Sequence, residues 1–184
     1  VDDDILLPHN LVRHIGKDLH IGWAKVDVVA QMGELNWPSS VKPEAVYANA
    51  TDNENPDVQL AVCEAHLFVD ATTTLEVPRD LSDRDDMPRM VSTFITPSGR
   101  SGVLLFEDEA RSARLACLEA QYYRGLLNSD WGATHLAGHQ GSYWVGAGCR
   151  DLSGVLAHEL VQLHGATLAR QVRLLATQPD SQIR

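Results

Sequence analysis

The stretch from Met90 to Phe106 constrains the fold more than any other part of the chain. Two short apolar runs, Met90–Thr96 and Gly102–Phe106, are set apart by Pro97-Ser98-Gly99-Arg100. Proline presets the φ of a turn's first central residue, and Gly99 takes positive φ at no steric cost. A β-hairpin is predicted here.

The clearest strand lies upstream. In Val58–Val69, Val58, Leu60 and Val62 alternate with Ala61, Cys63, Ala65, Leu67 and Val69. Apolar residues on both faces predict a central strand of a covered sheet, continued or paired by Thr72–Val77. Residues 49–57 and 78–88 read as polar and charged loops. Asn10 is placed to cap a helix from near Leu11. Ile21, Ala24, Val28, Met32 and Leu35 keep a helical period, preferred over a strand across Trp23–Val29. Asp108 caps a predicted helix to Leu127, with Ala110, Leu115, Leu118, Tyr122 and Leu126 as its stripe. Ser142–Val145 reads as a short strand. Asp151 or Ser153 then caps a last helix to about Thr177, with Leu152, Leu156, Leu160, Leu163 and Leu174 inward. The tail from Gln178 is expected to fray.

This order predicts an α+β fold. A mostly antiparallel sheet carries flanking helices on one face, including a long C-terminal helix. It lacks the strand–helix alternation of a doubly wound fold. At 184 residues, 44% hydrophobic and 22% charged, the chain suits one globular domain and excludes a mainly disordered one. Its start, Val1-Asp2-Asp3-Asp4, is acidic and lacks a Met, as in a processed product or a piece of a longer polypeptide. No apolar run approaches the ~20 residues of a membrane span.

Acidic side chains number 25 against 15 basic ones, and the first 108 residues hold 19 of the acids and 8 of the bases. Such a surface repels phosphate backbones, so no nucleic acid is expected as a partner, and a basic protein is favoured. The carboxylates Asp83, Asp85 and Asp86 are candidate partner contacts, in a loop that lacks the glycine and glutamate of a calcium loop. Trp131, Tyr143 and Trp144 form an aromatic concentration suited to an interface. Three cysteines without a CxxC read as free thiols of a reducing, cytoplasmic compartment, with Cys63 and Cys117 in the core.

His135, His139, His158 and His164 invite a metal reading. His158 and His164 are six residues apart, about 120° around a helix, and cannot chelate one ion together. No metal and no cofactor is predicted. Cys149 follows Gly146-Ala147-Gly148 and precedes the last predicted helix, whose dipole would lower a thiol pKa; His139 or His158 is its candidate base. Without a further catalytic signature, the sequence favours a non-catalytic protein-interaction or assembly module, such as a component of a larger complex, a self-associating unit or a chaperone-like binder. The alternative is a small hydrolase or transferase using Cys149 with a nearby histidine.

Overall fold

The computed structural model describes residues 1–11, 14–37, 41–72, 74–96, 99–135 and 157–184. The chain divides into two compact units, Val1–Ala61 and Val62–Arg184. No helix among the described residues is long and apolar enough to cross a membrane.

In the first unit, a bridge pairs Ile5 with Ala24. Leu6 N–H donates to Trp23 O at 2.8 Å, and Lys25 Nζ reaches Asp4 Oδ2 at 2.7 Å. Helix α1 follows as Lys25–Asn36, so helix prevails over strand, four residues later than the spacing predicts. Val28 is its fully buried residue, whereas Ile21, Val29 and Leu35 are exposed. The helix expected from Leu11 is absent at the described residues there. Asn10 instead closes a 3-10 turn over Pro8–Asn10, its Oδ1 accepting the N–H of Leu7 at 2.9 Å.

The expected strand over Val58–Val69 is corrected. Its first part is helix α2, Pro56–Glu64. Asn55 Oδ1 accepts the N–H groups of Asp57 and Val58, and Pro56 opens the helix with no N–H to satisfy. Val58 and Val62, one turn apart, are buried while Leu60 and Cys63 are exposed, which is helical rather than alternating burial. Only Leu67–Asp70 is a strand, β1, and it lies at the sheet edge rather than at its centre.

Helix α3, Glu76–Asp83, takes the first part of the loop expected over residues 78–88, whose remainder, 84–88, has neither helix nor strand; the described residues of Thr72–Val77 form no strand. The proline of α3 sits in the first turn, where a missing N–H costs nothing. Leu81 and Ser82 are buried while Asp80 and Asp83 face water, so a mostly polar sequence still has an inner face. This helix is the crossover that a parallel pair requires. Strand β2, Arg89–Ile95, runs parallel to β1 with Asp70 beside Ser92.

The hairpin forms as predicted. Strand β3, Gly102–Phe106, pairs antiparallel with β2, and Gly99 takes φ +72° in the turn. Strand β4, Gln182–Ile183, pairs antiparallel with β3, so the tail expected to fray is the sheet's other edge. Arg89 anchors it, donating to Asp180 O at 3.2 Å with its guanidinium 4.4 Å over the Phe106 ring. The fold is α+β with a four-stranded mixed sheet, order β1-β2-β3-β4.

Helices cover both faces of the sheet, not one. On one face Val91, Leu104 and Phe106 pack with Leu168, Val172 and Leu175 of α6, His158–Leu175. That helix therefore buries a stripe rotated from the predicted one. Leu163 and Leu174 are exposed, Leu160 is half-buried, and Leu152 and Leu156 lie outside the described residues. Gly102 lets α6 approach: a Cβ there would stand 3.2 Å from Leu168. The other face meets α4, Leu115–Leu127, on which α3 packs; Phe94 and Tyr122 touch edge to face, centroids 5.8 Å apart. Helix α5, Asp130–His135, packs next to α4. The strand expected over Ser142–Val145 lies outside the described residues.

Candidate functional site

A cavity of about 350 Å³ opens at the carboxyl ends of the parallel pair β1 and β2, walled by α3 and α4. Apolar groups dominate it: Leu75, Pro78, Phe94, Ile95, Leu105 and Leu115. Its polar floor is Asp70, the last residue of β1, which is only 3% exposed. Asp70 Oδ2 accepts the Ser92 hydroxyl at 2.6 Å across the parallel register. Oδ1 accepts the Thr72 hydroxyl at 2.7 Å and the Thr72 N–H at 3.1 Å. At its rim, Arg79 of α3 grips Glu119 of α4 with two bonds, Nε to Oε2 at 2.8 Å and Nη2 to Oε1 at 2.9 Å. The Glu119 hydrogen bonds raise the Arg79 pKa further above its ordinary value.

Tyr122 and Tyr123 complete the wall. Burial raises both hydroxyls above the ordinary tyrosine range, so both are protonated at neutral pH. The Tyr122 hydroxyl lies 3.0 Å from His135 Nε2, and Trp131 meets the His135 ring edge-on at 5.4 Å. An aromatic run thus leads from the cavity to the far end of α5.

A buried ion pair fixes the two helical walls. Glu107 is fully buried beyond β3. Its Oε1 accepts the N–H of Leu115, the first residue of α4, at 2.8 Å; its Oε2 accepts Met90 N–H at 3.0 Å and Arg111 Nε at 2.8 Å. Arg111 donates onward to the carbonyls of Ser82, Arg84 and Met87, which close α3 and lead into β2. Its backbone sits at φ +54°, uncommon outside glycine. Ser82 Oγ also accepts Ala116 N–H at 3.1 Å. Glu107, rather than the Asp108 that the sequence predicts, therefore caps α4. Asp108 instead accepts Ser112 and Ala113 N–H groups in the preceding turn. Burial alone would raise its pKa, but those N–H groups outweigh it and hold it below the ordinary carboxylate value.

The predicted site residues are scattered. Asp85 pairs with Arg114, and Asp86 accepts two bonds from Arg84, whose hydrogen bonds lower its pKa. Two of the three carboxylates reserved for a partner are thus engaged within the chain; Asp83 is exposed at the end of α3. Trp131 is half-exposed on α5. His158 is exposed at the start of α6, and His164 Nε2 lies 2.9 Å from Gly99 O in the hairpin turn. Cys149, His139, Tyr143 and Trp144 lie outside the described residues. Cys63 and Cys117, expected in the core, are both exposed free thiols.

Among the described residues, the carboxylates of Asp2, Asp3 and Asp4 form the one grouping close enough to share a metal. Asp4 is paired with Lys25, and Asp2 Oδ1 already accepts Asp4 N–H. A larger groove of about 560 Å³ runs between Asp108–Ala113 and Pro179–Ser181. Asp108 there is held by three donors of its own turn and is less buried than Asp70, so the smaller cavity is the better-built site.

Sequence reasoning missed Asp70, Ser92, Arg79 and Glu119. The one available signal was an acid closing an apolar run ahead of Thr72-Thr73-Thr74. Its partner Ser92 is 22 positions away and is reached only through the parallel register. No protein-family model matches the chain, and no curated protein matches it in sequence.

Proposed function

We propose that the chain is a non-catalytic binding module whose site is the cavity at the carboxyl ends of β1 and β2. The observation that carries this reading is the placing of one buried carboxylate, Asp70, at the floor of a mainly apolar cavity. Ligands of open α/β sheets bind outside the carboxyl ends of parallel strands, and binding pockets combine apolar walls with a few convergent polar groups. The rim supports it as well, since the Arg79–Glu119 pair ties α3 to α4 beside the opening. Internal pairing of Asp85 and Asp86 shifts weight from an acidic docking loop to this cavity. The excess of negative charge argues against nucleic acid, and the free thiols Cys63 and Cys117 suit a cytoplasmic protein. A thiol enzyme on Cys149 with His139 or His158 is the alternative, with no observation among the described residues favouring it.

The test is an amide-resolved NMR titration of the full chain with small aromatic alcohols and aromatic amines at millimolar concentration. Shifts should concentrate at Asp70, Thr74, Ser92–Thr96 and Ala116–Tyr123. Saturable shifts confined to other parts of the chain, or none at all, would overturn the proposal.

A further inference from the structure

We infer that the cavity takes a primary ammonium carried on an apolar stem, an inference that rests on reading this cavity as the binding site. An ionised carboxylate offers about four lone-pair positions. Among the described residues three donors meet Asp70, Ser92 Oγ–H, Thr72 Oγ1–H and Thr72 N–H, which leaves one position on Oδ2. All three donors are neutral. Among the described lining residues the one cation is Arg79, and its fork is committed to Glu119. A charge 3% exposed and offset only by neutral dipoles gains a charge-assisted bond when a cation arrives.

The walls select the rest of the ligand. Phe94, Tyr122 and Tyr123 present rings that attract a cation by their negative faces, and Leu75, Ile95 and Leu115 hold an alkyl or aryl stem. A carboxylate or phosphate ligand would meet the carboxylate of Asp70, while the Arg79–Glu119 pair at the rim is neutral as a whole. The volume is at the small end of ligand pockets, which run ~300–1,000 Å³. The same chemistry comes from a free amine or from a lysine side chain of a protein.

The experiment titrates the full chain with 2-phenylethylammonium, 2-phenylethanol and 3-phenylpropionate, read by amide shifts. The ammonium is expected to bind at least about tenfold tighter than the alcohol, and the carboxylate most weakly. Equal affinity for ammonium and alcohol at the cavity overturns the ammonium inference and leaves the cavity reading standing. Absence of cavity shifts with all three probes overturns both. In Asp70→Asn the ammonium should fall to the level of the alcohol. A final arm uses lysine blocked at both backbone ends. Binding as tight as that of 2-phenylethylammonium supports the inference with a protein lysine as source, and weaker binding supports it with a free amine.

Discussion

Replacing Glu107 by glutamine keeps the side chain's size and removes its charge. The carboxylate is fully buried, and its two oxygens hold three donors: Leu115 N–H, Met90 N–H and Arg111 Nε–H. An amide has one accepting oxygen. Its NH2 must therefore face either the Leu115 N–H or the Met90 and Arg111 donors. At least one buried donor loses its acceptor, which costs ~1–3 kcal/mol. Arg111, about 10% exposed, also loses its counter-ion, and breaking a buried pair costs ~3–5 kcal/mol. The amide oxygen recovers one side, and three carbonyls still hold Arg111, so the expected loss is at the lower end, about 3 kcal/mol. With a urea slope of ~1–3 kcal/mol per molar, the midpoint should fall by about 1–3 M, read by circular dichroism. The double variant Glu107→Leu/Arg111→Met should not recover the loss, because the Met90 and Leu115 N–H groups would then both lie buried without an acceptor. A loss below about 1 kcal/mol in Glu107→Gln would refute the account of Glu107 as the joint between α3, α4 and β2.

The stripe of α6 gives a second expectation. Leu175→Ala should cost ~2–5 kcal/mol as a core cavity, whereas Leu163→Ala, at 60% exposed, should cost under about 0.5 kcal/mol. The reverse order in thermal or urea unfolding would place the predicted stripe, not the observed one, against the sheet. Asp108 sets a pH expectation. Its folded pKa is lowered, so the unfolded chain binds more protons across that interval. Its contribution is present above the unfolded value of about 3.9 and lost as pH falls through the folded one. Asp108→Asn should therefore flatten the acid side of the stability curve below pH ~5; an unchanged slope would count against the turn bonds.

The hairpin was fully legible, because its signals are local. Pro97, Gly99 and two short apolar runs act within a few residues of one another, and Gly99 takes the positive φ that the turn demands. The helical period also located α1, α4 and most of α6, though their starts shifted. Asp108 looked like a cap because it precedes the helix, whereas the actual acceptor, Glu107, works by folding back over a turn held by Arg111.

Elsewhere two periods competed for the same letters. Val58, Leu60 and Val62 alternate like a strand, but Val58 and Val62 are also one helical turn apart, and the Asn55-Pro56 start selects helix. Helix α3 was hidden because its exposed side is acidic and its proline sits where helices tolerate one. Missing that crossover removed the parallel pair, and with it the site. The α+β character, the hairpin and the long last helix follow from composition and local periodicity. The order of strands, the burial of Asp70 against Ser92 and the cavity between α3 and α4 were decided by tertiary structure alone. They depend on which segments meet across tens of residues, and local sequence patterns carry no term for that contact.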